Sequence, residues 1–349
     1  MNAVVQRLAD GPVDLIGDVH GEIEALLALL HRLGVDPEAR TCARRVVFVG
    51  DLVDRGPDSV AVVQLVERLM EAGIAQAILG NHELNLLAGE TKEGNGWFRG
   101  DATDHWQKGT QRFAFDSRMA SEDERREVER LLRRLPLALE RDDLRVVHAC
   151  WSDAAVRELQ AHGVTDVAAF SARREEEILA ELERDGVPER AKQQRAQFDD
   201  LRVEANKPTY HLDAVVQEDL ATQRDNPVKV LTSGVEVEVE VGKHFFTGGR
   251  WRFVQRHRWW RDPVERPTVV GHYWRRRAEA IEGKVDVWDD LHPYAWSGHV
   301  YCVDYSVGRR FTERARNKTG RFDGGLAALR WPERVLLFDD GDAPIPTRR

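Results

Sequence analysis

Five short stretches of this chain carry residue types able to hold metal ions and move protons. They are Gly17-Asp18-Val19-His20-Gly21, Gly50-Asp51-Leu52-Val53-Asp54-Arg55-Gly56, Gly80-Asn81-His82-Glu83, His148, and Gly271-His272. Carboxylate, imidazole and amide oxygen together suit Mn, Fe or Zn better than Ca or a thiolate-bound metal. Any one stretch alone reads equally well as a turn or a surface pair. Their common placement, each directly after a short apolar run, argues for one converging site.

The apolar runs are Val13–Ile16, Val46–Val49, Ala77–Leu79, Leu144–Val147 and Thr268–Val270. Glu22 to Leu33 and Ser59 to Ala72 lie between the first three and show apolar residues at helical spacing. Strand, helix, strand, helix, strand predicts βαβ units with a buried parallel sheet, and so an α/β fold. In such sheets sites form beyond the carboxyl ends of the strands, where all five clusters fall. Helices are expected near Ser121 to Leu135, Ser171 to Asp185 and Glu189 to Asn206. The alternation Val-Glu-Val-Glu-Val-Glu-Val at 235–241 predicts a strand with one apolar face. Val300–Val303 and Ala327–Phe338 read as closing strands. Segments of about 84–140 and 152–250 interrupt the pattern and are expected as insertions forming a lid or substrate platform on a single domain spanning 1–349. Solvated scaffolding is the alternative for their charged helices.

GDVHG, GDLVDRG and GNHE, in that order, resemble the calcineurin-like metallophosphoesterases. More narrowly they are similar to the phosphoprotein-phosphatase type, which includes bacterial Ser/Thr phosphatases and diadenosine tetraphosphatases. The resemblance is strong over residues 13–83, recurs at His148 and His272, and is fainter at Val303-Asp304-Tyr305 and Gly324-Gly325-Leu326. It implies a four-layer α/β/β/α sandwich and two divalent ions, Mn first, with Fe or Zn compatible. Asp18 and His20 would hold the first, Asn81, His148 and His272 the second, and Asp51 would bridge them. Where many relatives carry a second histidine two positions after the last one, this chain has Trp274. The first ion is then expected to be poorer in protein ligands, with waters completing it.

Two ions about 3.5–4 Å apart can bridge a hydroxide aimed at phosphorus. By resemblance His82 is the general acid at the leaving oxygen, with Asp54 orienting and charging it. Arg55 would clamp the phosphate through its planar fork. Its plainer reading is an ion pair with Asp54 or Asp58.

The chain's 349 residues are 42% apolar and 32% charged, with a net charge of −9, which argues against a general affinity for nucleic acid or anionic membrane. Residues 250–277 depart from this, with nine arginines against Asp262 and Glu265. That basic stretch leads into His272 and should attract an anionic phosphorylated substrate; Arg258 and Arg261 are candidates for a second phosphate ligand. Trp251, Trp259, Trp260 and Trp274 are interleaved there. They could stack on a nucleobase, or serve as core and as covers for arginine stems. Trp151 is expected as a pocket wall.

Phosphomonoester hydrolysis, of phosphoprotein or small phosphoesters, is therefore the leading expectation. The alternative is nucleotide hydrolysis, of diadenosine tetraphosphate or a nucleic-acid end phosphate. Many symmetrical tetraphosphate hydrolases carry Ala where this chain keeps Asp54, which favours the former. A catalytically silent scaffold would show eroded ligands, and none is eroded. Three well-separated cysteines (Cys42, Cys150 and Cys302), no leader-like apolar segment and no run of about 18 apolar residues suit a cytoplasmic protein without a membrane span. The sequence points to no protein partner.

Overall fold

The structure, a computed structural model, describes residues 4–108, 111–198, 201–247, 250–278, 292–316 and 321–348. Alternation within the first strands decides the layering. Val13 and Leu15 point to one apolar cluster while Ile16 points to the other, and Val47 and Val49 oppose Val46 and Phe48 in the same way. Each strand thus has two apolar faces, which only a sheet covered on both sides can satisfy.

Two mixed sheets result. The first has six strands in the order Ile345–Pro346, Val335–Phe338, Ala327–Trp331, Val13–Ile16, Arg45–Phe48 and Ala75–Ala77. Its last three are parallel, and the 327–338 hairpin joins them antiparallel. The second runs Val5–Arg7, Ala138–Arg141, Leu144–Val147, Thr268–Val270 and Val300–Cys302. Leu15, Val47, Ile78, Val146, Val269, Tyr301 and Leu329 fill the space between the sheets. The helices Ile23–Leu33 and Ser59–Glu71 cover the outside of the first sheet through Leu26, Leu29, Leu30, Val62 and Val66. Asp153–Ala161 and Pro227–Ser233 supply Val156, Leu159, Val228 and Leu231 to the same outer cluster as Val147 and Val270 of the second sheet. Helix, sheet, sheet, helix is the expected four-layer α/β order.

One charge lies inside the first sheet. Asp14 is fully buried but paired across strands with Arg330 in a bidentate contact of 2.9 and 3.2 Å. Two hydrogen bonds offset the cost of burying the carboxylate.

The inserted segments differ from expectation in detail. The helix anticipated from Ser171 begins at Val167, because Asp166 caps it by accepting from Ala169 N. The one anticipated to Asn206 stops at Arg195, and Phe198 and Leu201 instead pack against a local cluster around Leu212, Val215 and Phe253. Helices Asp213–Arg224 and Pro227–Ser233 were not anticipated. Of the Val-Glu alternation only Glu236–Glu238 pairs, with Val254–Arg256, and Val241 is 71% exposed. The Asp213–Arg224 helix packs on that ribbon and Val239 and Val254 are buried, whereas Val241 lies beyond the paired residues.

Candidate metal centre and phosphate site

The loops after Ile16, Phe48, Val147 and Val270, with the start of the Asn81–Leu87 helix, meet at one edge of the sandwich. The turns are tight. Six of the nine non-glycine residues with positive φ among the described residues are His20, Asp51, Asp54, Arg55, His272 and Trp274. Such strain persists only where the surroundings impose it. Close approach also demands glycine: a Cβ on Gly80 would lie 2.3 Å from Asp51 Oδ1, and one on Gly271 would lie 2.1 Å from Asp18 Oδ1.

Glu83, to which the sequence reading assigned no role, organises the centre. Its carboxylate accepts from the backbone N–H groups of Gly80, Asp51, Leu52 and Val53 at 2.8, 2.8, 2.7 and 3.3 Å. Burial, and then the charge on Asp51, push its pKa up to about 7, against those four donors.

Asp51 stands in the middle. Its Oδ2 is 3.7 Å from His20 Nε2 and 3.9 Å from His82 Nε2, while Oδ1 is 3.4 Å from His148 Nε2. Burial pushes Asp51 upward, but His148, His82 and His20 outweigh it and hold the carboxyl well below its usual range. Asn81 Oδ1 lies 3.2 Å from His148 Nε2 and 2.9 Å from His272 Nδ1. Asp18 accepts from the backbone of His272 at 3.1 Å and lies 4.0 Å from His20 Nε2. Ligand atoms of His20, Asp51 and His82, and of Asp51, His148 and His272, converge in two groups sharing Asp51.

Two observations bear on whether cations fit here. His20 donates from Nδ1 to Val53 O at 3.0 Å, leaving Nε2 with a lone pair facing inward; burial, Arg55 and His82 keep the ring well below its ordinary pKa. Asp18, Asp51 and Asp304 are nearly fully buried, and among the described residues no lysine or arginine is ion-paired with any of them. Burial and the neighbouring carboxylate of Asp304 raise Asp18 well above its usual range. Three buried carboxyl groups gathered with the imidazole nitrogens of His20, His148 and His272 make a donor set that fits divalent metal.

His82 is not shared with Asn81 but turned to Asp54. Its Nδ1–H donates to Asp54 Oδ2 at 2.6 Å, and Asp54 Oδ1 accepts from Trp97 Nε1 at 2.7 Å. Arg55 donates from Nη1 to His20 Nε2 at 3.0 Å and from Nη2 to His82 Nε2 at 2.9 Å, and lies 4.4 Å above the Trp274 ring. It forms no ion pair with Asp54 or Asp58; Asp58 caps the Ser59–Glu71 helix and pairs with Arg118.

The structure does not bring Arg258 and Arg261 to this place. Both are exposed, at the start and end of a short 3-10 turn, and neither lines the cavities bordered by Arg55. Arg256 does, with Nη2 3.1 Å from His272 Nε2. Trp259 and Trp260 are core residues, 5% and 1% exposed. Trp151 covers Arg145 and lines neither cavity. Asp304 was also missed as a site residue: it accepts from the backbone of Trp274 at 2.6 Å and fixes that turn. Arg256 was visible as one of the nine arginines. Nothing in the spacing separated it from the other eight.

The pattern of the calcineurin-like phosphoesterases matches residues 11–187, half of the chain. The protein belongs to that family. Its members are hydrolases of phosphoester bonds that use divalent metals, and the two ligand groups above are where this member could hold them. An asymmetrical bis(5'-nucleosyl)-tetraphosphatase of Oceanobacillus iheyensis is 47% identical over 74 residues, 20% of this chain and 30% of the relative. A symmetrical bis(5'-nucleosyl)-tetraphosphatase of Ralstonia nicotianae is 43% identical over 81 residues, 23% of this chain and 26% of the relative. The chain therefore spans less than a third of either relative. Among solved structures, a cold-active protein-tyrosine phosphatase of a Shewanella species aligns over 98% of this chain and 81% of its own, at 15% identity and TM-score 0.45. Among the described residues no helix is long and apolar enough to cross a membrane.

Proposed function

We propose that the protein is a dinuclear-metal phosphoester hydrolase. The observation that carries this is the position of Asp51, one oxygen facing His20 and the other facing His148. On this reading Asp18 and His20 hold one ion, Asn81, His148 and His272 hold the other, and Asp51 serves both. Two divalent ions, Mn before Fe or Zn, supply Lewis acidity toward the phosphoryl oxygens and activate water when bound. The fork of Arg55 grips two phosphate oxygens, and Trp274 beneath it keeps the guanidinium in place. Asp54 and Trp97 fix the His82 ring so that Nε2 faces the site and passes a proton to the leaving oxygen. The Val167–Arg184 helix of the long insertion lines a cavity of about 600 Å³ beside Asn81 and His82, which supports the role of substrate platform for that segment.

A phosphomonoester of a protein or small molecule is the first substrate class, on the retention of Asp54 against His82. A second reading, nucleotide hydrolysis, is favoured by Arg256 beside His272 and by the activities named for the relatives.

The test is reconstitution with Mn²⁺ and assay of an aryl phosphate, a phosphoserine peptide and diadenosine tetraphosphate, each repeated with Asp51→Asn. Mn²⁺-dependent release of phosphate from the aryl phosphate or the peptide, or of mononucleotides (two ADP, or ATP and AMP) from the dinucleotide, that Asp51→Asn abolishes is the expected result. Failure of metal-loaded protein to cleave any of the three would overturn the reading.

A further inference from the structure

The long insertion carries a second group of metal-ligand side chains, none of it shared with the centre around Asp51. His211 lies two residues ahead of the Asp213–Arg224 helix, and His244 leads into the Phe245–Thr247 strand. His211 Nδ1 is 3.3 Å from His244 Nε2, and the two rings lie at 26° with centroids 5.5 Å apart. Glu238, at the end of the Glu236–Glu238 strand, accepts from His211 Nε2–H at 2.7 Å. Phe253 forms an apolar wall, its ring 4.7 Å from that of His244 and 6.3 Å from that of His211. Three separate segments thus bring two imidazoles and a carboxylate to one place.

Their proton pattern leaves the facing nitrogens open. Because the Glu238 carboxylate takes the Nε2 proton, neutral His211 presents a lone pair at Nδ1. His244 is buried, and among the described residues nothing hydrogen-bonds its Nδ1. No neighbour there fixes the tautomer, so the ring can keep its proton on Nδ1 and a lone pair on Nε2. Burial, then His211 and Lys207, lower the pKa of His244, which favours the uncharged ring. The charges around the pair are Glu238 and Asp213 against Lys207. The 3.3 Å separation exceeds the roughly 2.9–3.0 Å at which an N–H donor commonly sits from its acceptor. It matches the edge of a tetrahedron around a metal ion with nitrogens at about 2.0–2.1 Å, which spans roughly 3.3–3.4 Å.

We propose that His211 and His244 bind a divalent ion of the imidazole-preferring class, Zn²⁺ first, with Glu238 holding His211 from behind and water completing the coordination. An imidazole whose far nitrogen is tied to a carboxylate is the usual arrangement of a metal-bound histidine. Neutral nitrogen donors select such ions over Mg²⁺ and Ca²⁺. The ion is a staple: it joins the start of the Asp213–Arg224 helix to the hairpin that begins at Phe245. The local core there is small, built on Leu212, Val215, Val216, Phe253 and Val254, while Val241 and Phe245 on either side of His244 stay exposed. A lobe with little apolar packing gains most from a metal tie between its segments. The site shares no residue with the hydrolase centre and does not depend on that reading.

Crystals of the wild-type full chain grown with Zn²⁺ test this without a variant, through an anomalous difference map at the zinc edge. A peak about 2.0–2.1 Å from both His211 Nδ1 and His244 Nε2 is expected. No peak there, whether or not the residues around Asp51 hold zinc, would overturn the site. In solution, zinc counted after dialysis at a buffered free concentration should be one ion per chain higher in wild type than in His211→Gln with His244→Gln. Zn²⁺ should also raise the melting temperature of wild type more than that of the double variant. Equal zinc counts, or an equal rise in melting temperature, would overturn the staple. Glu238→Gln leaves both ligands in place and serves where the double variant fails to fold. It should weaken the binding of this one ion about 10–100-fold, and unchanged affinity would contradict the part assigned to Glu238.

Discussion

The two cavities that meet at Arg55 differ in what surrounds them. The larger, about 600 Å³, is bordered by Glu90, Glu93, Glu175 and Glu176, with Lys92 and Lys229 for balance. The smaller, about 450 Å³, is bordered by four arginines and by Trp106, Phe115, Trp274 and Phe311. One insertion builds the first wall through the Val167–Arg184 helix, and the other builds the second through the hairpin at 105–114. On the proposed function the shared core would carry the chemistry, and the two inserted segments set the charge on either side of Arg55. In a molecule of net charge −9 the charges are segregated rather than averaged, so one wall is basic while the other is acidic.

The largest expected effect tests the residue on the acidic side. His82→Ala should lower turnover of an alkyl phosphate about 10²–10⁴-fold with metal still bound, and far less for an activated aryl phosphate. Equal losses on the two would remove the proton-donor role. Next comes Trp97→Phe, which keeps an aromatic ring in this buried place, though a smaller one, and removes the 2.7 Å hydrogen bond to Asp54. Losing a hydrogen bond to a buried charge is expected to reduce alkyl phosphate turnover about 10–100-fold. Unaltered kinetics would show that Asp54 holds His82 unaided. Ionic strength separates the cavities more gently. Raising salt from about 0.05 to 0.5 M should cut kcat/KM for a polyanionic substrate about tenfold, and for a singly phosphorylated alkyl ester by less. A matching response of both substrates would contradict the contrast. The smallest effect is that of Glu176→Gln in the acidic wall, expected to raise kcat/KM for bulky anionic substrates about two- to threefold. A decrease would mean that this glutamate contacts substrate.

What the residues determined unaided was the frame. Strands with apolar residues on both faces, helices of 3.6-residue period and glycine-flanked ligand types are local patterns, so Val13–Ile16, Leu144–Val147 and Thr268–Val270 stood in the structure as read. Asp18, His20, Asp51, Asn81, His148 and His272 stand in clusters that each follow such a strand, and the family resemblance assigned them as ligands; that strand ends of two sheets would meet was set by the sandwich. The structure then decided what depends on direction. Glu83 became the anchor of the Asp51 turn only because the Asn81–Leu87 helix points its carboxylate at four backbone donors. Trp97 reached Asp54 across 43 residues of sequence, a contact no periodicity encodes. Among the arginines of 250–277, composition treats all nine alike. Arg256 lies on a strand paired with Glu236–Glu238 and is carried to His272, whereas Arg258 and Arg261, two and five residues on, are exposed at the ends of a turn that buries its two tryptophans instead. A charge acts over a few ångströms, so its place in space, set by packing far along the chain, decides its partner.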